Sequence, residues 1–279
     1  MKKNVEKGRI YLYLRNEELL IMKDYAVVIG CDKDVPFNYT IDDLDTLKTV
    51  KKAGFKKVFL SFKFGGWTEY QENMFNECKK LGLDVVFIHM SYKKGRNIEK
   101  IWYEDSSGDE LVEGYIEDLT KIRKLGIPIV VMHVSKTREK PILTEIGLKR
   151  WKRIVEHAEK IGIDIALENT VWPGVLEYIF DNIDSENLKI CYDCGHDHAY
   201  FKNTFNFERF KNKIALTHLH DNDQSDDLHW IPFDGSVDWI RVTKQLANAN
   251  YDFILITESV YRDHYTGVCT PLEFYKKLF

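Results

Sequence analysis

The chain has 279 residues, 44% of them hydrophobic and 30% charged, with a formal net charge of -4. This is an ordinary globular composition, long enough to bury a sizeable core, and its near balance of charge gives no overall attraction to nucleic acid or anionic lipid. No apolar run reaches the roughly 20 residues of a membrane span and no signal peptide opens the sequence, so a cytoplasmic protein that crosses no membrane is expected.

Residues 1–24, MKKNVEKGRIYLYLRNEELLIMKD, follow no clean period and read as an N-terminal extension, either a short hairpin or a segment laid across the bottom of the domain that follows. From Tyr25 onward, short β-branched runs alternate with longer amphipathic ones. The apolar runs are YAVVIG (25–30), KVFLSF (57–62), DVVFIHM (84–90), IPIVVMH (127–133), IDIALEN (163–169), LKICYD (188–193), IALTHLH (214–220) and FILITES (253–259). Helical stretches such as IDDLDTLKTVKKAG, ELVEGYIEDLTKIRKLG and IGLKRWKRIVEHAEKIG lie between them, each closed by a glycine. Eight such units predict an α/β fold of one domain over 25–279, a closed parallel (β/α)8 barrel. An open doubly wound sheet would need a glycine-rich phosphate fingerprint after its first strand, and none is present. The five cysteines, Cys31, Cys78, Cys191, Cys194 and Cys269, are scattered and read as reduced thiols.

In such a barrel the C-terminal ends of the strands form one rim, so residues far apart in sequence converge there. Here the rim is neither apolar nor random: strands 3 to 8 end at His89, His133, Glu168, Asp193, His218 and Glu258. Singly, each histidine could be a core residue bonded to a carbonyl and each acid a helix cap. Together in a low-dielectric mouth they would repel or stay unpaired without a divalent cation among them. Side chains at i and i+2 share a face, so His218 and His220 are equally placed and spacing alone does not choose between them. Just beyond, LTHLHDNDQSDDLHW adds Asp227 and His229 in D-x-H spacing, and Asp193 and His196 form a D-x-x-H. Asp221 and His220 read as residues that shape the loop or hold ligands in place.

From strand 3 to strand 8 the chain resembles the xylose isomerase-like TIM-barrel superfamily, which includes sugar isomerases and epimerases and endonuclease IV. The resemblance is carried by IALENT, CYDCGH, THLHDND, DLHWIPFDGSVDW and ITES. For the sugar enzymes it implies one Mn²⁺ or similar ion, Zn²⁺ included, on Glu168, Asp193, His218 and Glu258, with Glu168 and Glu258 passing a proton through an enediolate. His133, His196 and His229 would then bond substrate oxygens, and Trp67, Trp102, Trp172 and Trp230 could wall an apolar sugar face. For endonuclease IV, IHMSY and VMHVS extend the resemblance. His89 and His133 would join Glu168 at one metal, and His196, Asp227 and His229 would form a third site, up to three ions in all.

The resemblance to endonuclease IV stops at its loops. Its first-strand signature is absent from AVVIGCDKDVPF, and neither SFKFGGW nor ENTVWPG resembles its DNA-facing loops. The identifiable mouth loops are mixed or acidic, as in DNDQSDD, which argues against nucleic acid as a partner. The expected activity is therefore a divalent-metal-dependent isomerase or epimerase of a sugar, sugar phosphate or polyol ketone, with a multinuclear-zinc phosphoesterase as the alternative. A homo-oligomer is compatible with the sequence, which does not specify one.

Overall fold

The computed structural model describes residues 47–259 except 49, 53, 62–64, 94, 137, 173, 250 and 252–254, together with the backbone of strands at 11–13, 19–21, 25–30, 262–263 and 267–268. Its centre is a ring of parallel strands: β1 (Tyr25–Gly30), β2 (Lys57–Ser61), β3 (Asp84–His89), β4 (Ile129–His133), β5 (Asp164–Glu168), β6 (Leu188–Asp193), β7 (Ile214–His218) and β8 (Leu255–Thr257). β8 pairs with β1, and the ring closes where Leu219 bridges Thr257, its N–H donating to the Ile256 carbonyl at 2.8 Å. This is the closed (β/α)8 barrel, with the expected eight strands in the expected places.

Outside the ring lie α1 (Glu69–Leu81), α2 (Ser107–Lys124), α3 (Glu145–Ile161), α4 (Val175–Asn182), α5 (Cys194–Ala199), α6 (Phe207–Phe210) and α7 (Trp239–Asn248), with a 3-10 turn at Ile98–Trp102. Two of the expected closing glycines, Gly126 and Gly162, sit at φ 86° and 70°, left-handed conformations that any other side chain adopts at a cost. Only part of the expected helix over 41–54 falls within the described residues, where 47, 48 and 50–52 are helical. The N-terminal segment holds an antiparallel hairpin, Tyr11–Tyr13 with Leu19–Ile21, lying against α7. Among the described residues no helix is long and apolar enough to cross a membrane.

Strand alternation sorts the core into two clusters. Val58, Leu60, Ile88, Val130, Met132, Ile165, Leu167 and Ile190 face outward and pack against helix residues such as Met74, Leu119, Trp151 and Ile154. Phe59, Phe87, Val131, Ala166, Cys191, Leu216 and Ile256 face inward and plug the barrel. Both clusters exclude water, and the inner one forms the floor of the mouth.

One polar residue inside this shell carries much of the loop structure around it. Arg150 of α3 is 1% exposed. Its guanidinium donates to the carbonyls of Ile101, Tyr103 and Asp105 and to both oxygens of Asp109, holding the turn that precedes α2. A Cβ at Gly108 would lie 2.1 Å from Arg150 Nη1, so glycine is required there. Arg150→Met should therefore cost about 1–3 kcal/mol and lower the thermal midpoint by roughly 3–8 °C, with Arg150→Lys in between because an ammonium cannot fork. Thermal melts by circular dichroism check this, and a wild-type melt for Arg150→Met would contradict it.

Candidate metal centre

Two residues above the inward plug, the same strand faces carry Ser61, His89, His133, Glu168, Asp193, His218 and Glu258, so the period of a β-strand alone stacks a polar layer on an apolar one. Strand register sets His133 beside Glu168 and Asp193 beside His218. The His218 ring stacks on Phe59 and Phe87, with centroids 5.5 and 5.8 Å away. That contact seats it on the plug with Nδ1 turned to the mouth, within 3.3 Å of Glu168 Oε1, 3.7 Å of Asp193 Oδ2 and 2.8 Å of Glu258 Oε2. Its Nε2 is buried without a hydrogen-bond partner.

Glu168 is the hub. Oε2 lies 3.2 Å from His89 Nε2 and 3.1 Å from His133 Nε2, while Oε1 lies 3.2 Å from His196 Nδ1 and 3.3 Å from His218 Nδ1. Asp193 divides its work: Oδ1 accepts from the His196 N–H at 2.6 Å and caps α5, and Oδ2 faces the cluster. Capping at i, i+3 is what the D-x-x-H spacing achieves, since it turns the His196 imidazole inward. Asn169, fully buried, exchanges two hydrogen bonds with the Asp193 backbone (2.7 and 2.8 Å), fixing the end of β6 against that of β5.

The loop after β7 brings the remaining residues back. Asp221 and Trp230 exchange backbone hydrogen bonds, both 2.8 Å, which closes residues 221–230 into a tight loop. The Asp221 carboxylate is wholly buried and accepts from the N–H groups of Asn222, Phe233 and Val237 and from Trp239 Nε1, so it organises the loop as expected. Asp227 Oδ2 then sits 3.1 Å from His196 Nε2 and 2.9 Å from His229 Nε2. His229 adopts φ 50°, a strained left-handed conformation for a histidine. All nine side chains singled out in the sequence thus meet in one cluster.

A tenth joins them. His220 Nε2 lies 3.1 Å from both Asp193 oxygens and 3.5 Å from Asp227 Oδ1, and its ring stacks on His229 at 4.1 Å. Its place depends on Gly195, where a Cβ would stand 1.9 Å from His220 Cε1. The i+2 spacing from His218 and the glycine of D-C-G-H were the available signals. Tyr92 was not anticipated: its ring stacks on His133 at 3.6 Å and 12°. Burial, with Glu258 and Glu168 nearby, pushes its hydroxyl pKa up, so it remains a proton-bearing donor beside the carboxylates. Of the four tryptophans that could wall the mouth, two, Trp67 and Trp102, pack in the core. Trp67 is 7% exposed, its backbone N–H donating to Asp118 Oδ1, and Trp102 is 3% exposed, lying against Gly147 of α3. Burying each indole removes a large apolar surface from water. Cys191 and Cys194 are fully buried, and burial pushes the Cys191 thiol up to about 12, which removes any thiolate role at neutral pH.

The donor set fits a divalent cation. His89 and His229 each direct Nδ1 to a main-chain carbonyl, of Met90 at 3.2 Å and Glu258 at 2.7 Å, so Nδ1 carries the hydrogen. In the neutral ring the Nε2 lone pair is left facing a carboxylate oxygen, acceptor against acceptor, unless a cation or a second proton lies between. Around His218 three carboxylates share one nitrogen, and Asp227 Oδ1 is buried without a donor. Ligands about 2.0–2.1 Å from a tetrahedral ion stand roughly 3.3 Å from one another, close to the separations seen here. Five overlapping groups have all their ligand atoms within 4.8 Å of one another, among them His89–His133–Glu168, Glu168–Asp193–His218–Glu258 and His220–Asp227–His229.

Ionisation follows the same geometry. Burial alone would raise the Glu168 carboxyl, but the imidazoles of His133 and His218 hold it well below the usual range, and His196 and His229 do the same for Asp227. Conversely, burial opposes the imidazolium of His196 and of His218, yet Asp193 and Asp227 raise His196, and Cys191, Glu258 and Glu168 raise His218, well above the usual imidazole value, and Asp227 lifts His229 to about 9. At neutral pH His229 therefore carries a proton that an incoming cation must expel, and the raised His196 and His218 add to that competition. Affinity for Zn²⁺ or Mn²⁺ should rise with pH towards about 9, by roughly one log unit per pH unit for each proton displaced. Calorimetry in buffers of different ionisation enthalpy should register that release, and affinity that fell with pH would contradict the assignment.

Comparison with known proteins places the fold. A family profile described as Xylose isomerase-like TIM barrel matches residues 47–277. The uncharacterized protein y4fM of Sinorhizobium fredii is 29% identical over 195 residues, which is 61% of this chain and 62% of y4fM, so the chain spans about three fifths of that relative's length. A D-tagatose 3-epimerase-like protein superposes with a TM-score of 0.66 at 21% identity, covering 85% of this chain and 91% of its own. An L-ribulose 3-epimerase superposes with a TM-score of 0.66 at 16% identity, covering 92% of both chains. With the profile matching most of its length, the chain belongs to the xylose isomerase-like TIM barrel family.

Proposed function

We propose that this protein is a divalent-metal-dependent isomerase or epimerase of a sugar or related polyol ketone. The observation that carries the reading is the pair Glu168 and Glu258, delivered by the non-adjacent strands β5 and β8 to the same imidazole nitrogen, 3.3 and 2.8 Å from His218 Nδ1. The names of the superposable structures, sugar 3-epimerases, support it.

Glu168, Asp193, His218 and Glu258 would hold the cation. Bound there, a divalent ion supplies electrophilic stabilisation of a substrate carbonyl and its neighbouring hydroxyl, lowering the pKa of the C–H between them. The residues do the rest. Imidazoles hold Glu168 and Glu258 ionised, Glu258 through His218 and His229 against the opposing effect of burial, so either can accept a proton from carbon. Reprotonation at the other face or at the adjacent carbon then runs through the partner carboxylate, which relays a proton from water while the proton on the first carboxyl returns to water, so both are ionised again. Tyr92, protonated and stacked on His133, donates to a substrate oxygen. Phe59 and Phe87 close the floor against water, which protects the carbanionic state.

Metal-loaded protein should wash solvent deuterium into the carbon beside the carbonyl of a ketopentose or ketohexose, read by NMR. Glu168→Gln and Glu258→Gln should each slow that exchange by about 10²–10⁴-fold. Full exchange in both variants would rule the mechanism out. Tyr92→Phe should raise KM or lower kcat by about tenfold without changing metal content, the loss of one hydrogen bond to a polar substrate.

A second reading, a multinuclear-zinc phosphoesterase of the endonuclease IV type, is favoured by one feature: the ligand groups overlap, with Glu168 shared between His89–His133 and Asp193–His218–Glu258, and a further group at Asp227 and His229. Elemental analysis separates the two, since about three ions per chain with phosphodiester hydrolysis supports the second and one ion with carbon–deuterium exchange the first.

A further inference from the structure

Beside the ligand cluster opens a pocket of about 270 Å³, lined by Arg138, Val171, Trp172, Ala199, Tyr200 and Ser225. A single water needs only about 10–15 Å³ of such space, so the pocket has room for a hexose-sized ring. Its walls come from the loops after β4, β5 and β7 and from the end of α5, so it lies on the same rim as the cluster. Tyr200 joins the two: its ring centroid is 5.4 Å from that of His196, and its hydroxyl donates to Asp226 Oδ1 at 3.3 Å, next to Asp227. Trp172, half-buried, lines this pocket.

Charge decides what the pocket takes. Arg138 is committed to Asp226, Nη2 to Oδ2 at 2.6 Å, and Tyr200 holds the other oxygen of the same carboxylate. A phosphate or carboxylate ligand would have to displace Asp226 from Arg138. A neutral polyhydroxylated ring meets no such opposition. Its C–H face can lie on the indole of Trp172 or the phenol of Tyr200, and its hydroxyls can bond the Arg138–Asp226 pair and Ser225 Oγ.

We infer that the substrate is a glycoside: the reacting sugar sits at the ligand cluster and an uncharged pyranose ring attached to it occupies the Trp172–Tyr200 pocket. This rests on the isomerase or epimerase reading and narrows its substrate class, away from free sugars and sugar phosphates.

The test uses the Mn²⁺-loaded full chain and two separate readouts. In the first, calorimetry compares a set of glucose-, galactose- and mannose-containing disaccharides with their monosaccharides and with glucose 6-phosphate. At least one disaccharide should bind about tenfold or more tighter than its monosaccharide, and Trp172→Ala should bring that ratio near one. Ser225→Trp, which fills the pocket from an exposed position, should abolish the preference without creating a cavity. No preference for any disaccharide, or a preference untouched by both variants, overturns the inference. So does tighter binding of glucose 6-phosphate that Arg138→Ala removes, because the site is then an anion site. In the second, deuterium exchange reports on the underlying reading. Exchange on ketoses with no disaccharide preference removes the glycoside and leaves the reaction class. A Trp172-dependent preference with no exchange on any sugar upholds the pocket and removes the reaction class.

Discussion

Glu168 is 1% exposed and meets imidazole nitrogens from four residues, two at each oxygen. An ionised carboxylate so buried costs several kcal/mol in lost hydration unless its partners stand at hydrogen-bonding or ligand distance. Every neighbouring element is held to satisfy it. The plug of Phe59 and Phe87 sets the height of His218, Asn169 ties the end of β6 to that of β5, and the Asp193 cap aims His196 inward. A shift of one residue in any strand would turn its ligand outward to the helices and leave the carboxylate short of a partner.

The same parity explains what could be read in the sequence. The barrel was legible because its strands are short β-branched runs and the intervening helices end on glycine. The candidate centre was legible because six acids and histidines terminate consecutive strands, a pattern that needs no loop conformation to interpret. His220 reads in sequence as a loop-shaping residue, because the i+2 rule places it no better than His218 and the strand ends at His218, yet it stands in the cluster. Its position in space depends on the packing of its ring over Gly195 and on a closed loop, neither of which is local. Tyr92 escaped notice because an aromatic residue just past a strand carries no periodic signal, and only stacking on His133, 41 positions away, gives it a role. For Trp67 and Trp102 a loop position in sequence leaves both a mouth wall and a packed place open, and the structure packs them.

The centre and the pocket beside it obey different physics. In the centre, opposite charges packed in low dielectric impose tight distances, and a missing partner is expensive. In the pocket, Arg138 and Asp226 have already neutralised each other at the solvent edge, where an ion pair adds little stability and shape and hydrogen bonding decide what fits. Tyr200 touches both environments, one edge against His196 and its hydroxyl on Asp226, so occupancy of the pocket can be felt at the ligand cluster through a single side chain.

The pairing of Asp221 with Trp230 has an evolutionary consequence. Because the loop is pinned at its base, the orientation of His229 is set from the pinned end and not from the tip, where Asp223, Gln224 and Ser225 reach towards solvent. Changes at the tip would reshape the wall that Ser225 gives to the pocket while the base keeps its register. Descendants of such a chain could acquire new substrates by varying three residues, without having to rebuild the chemistry underneath.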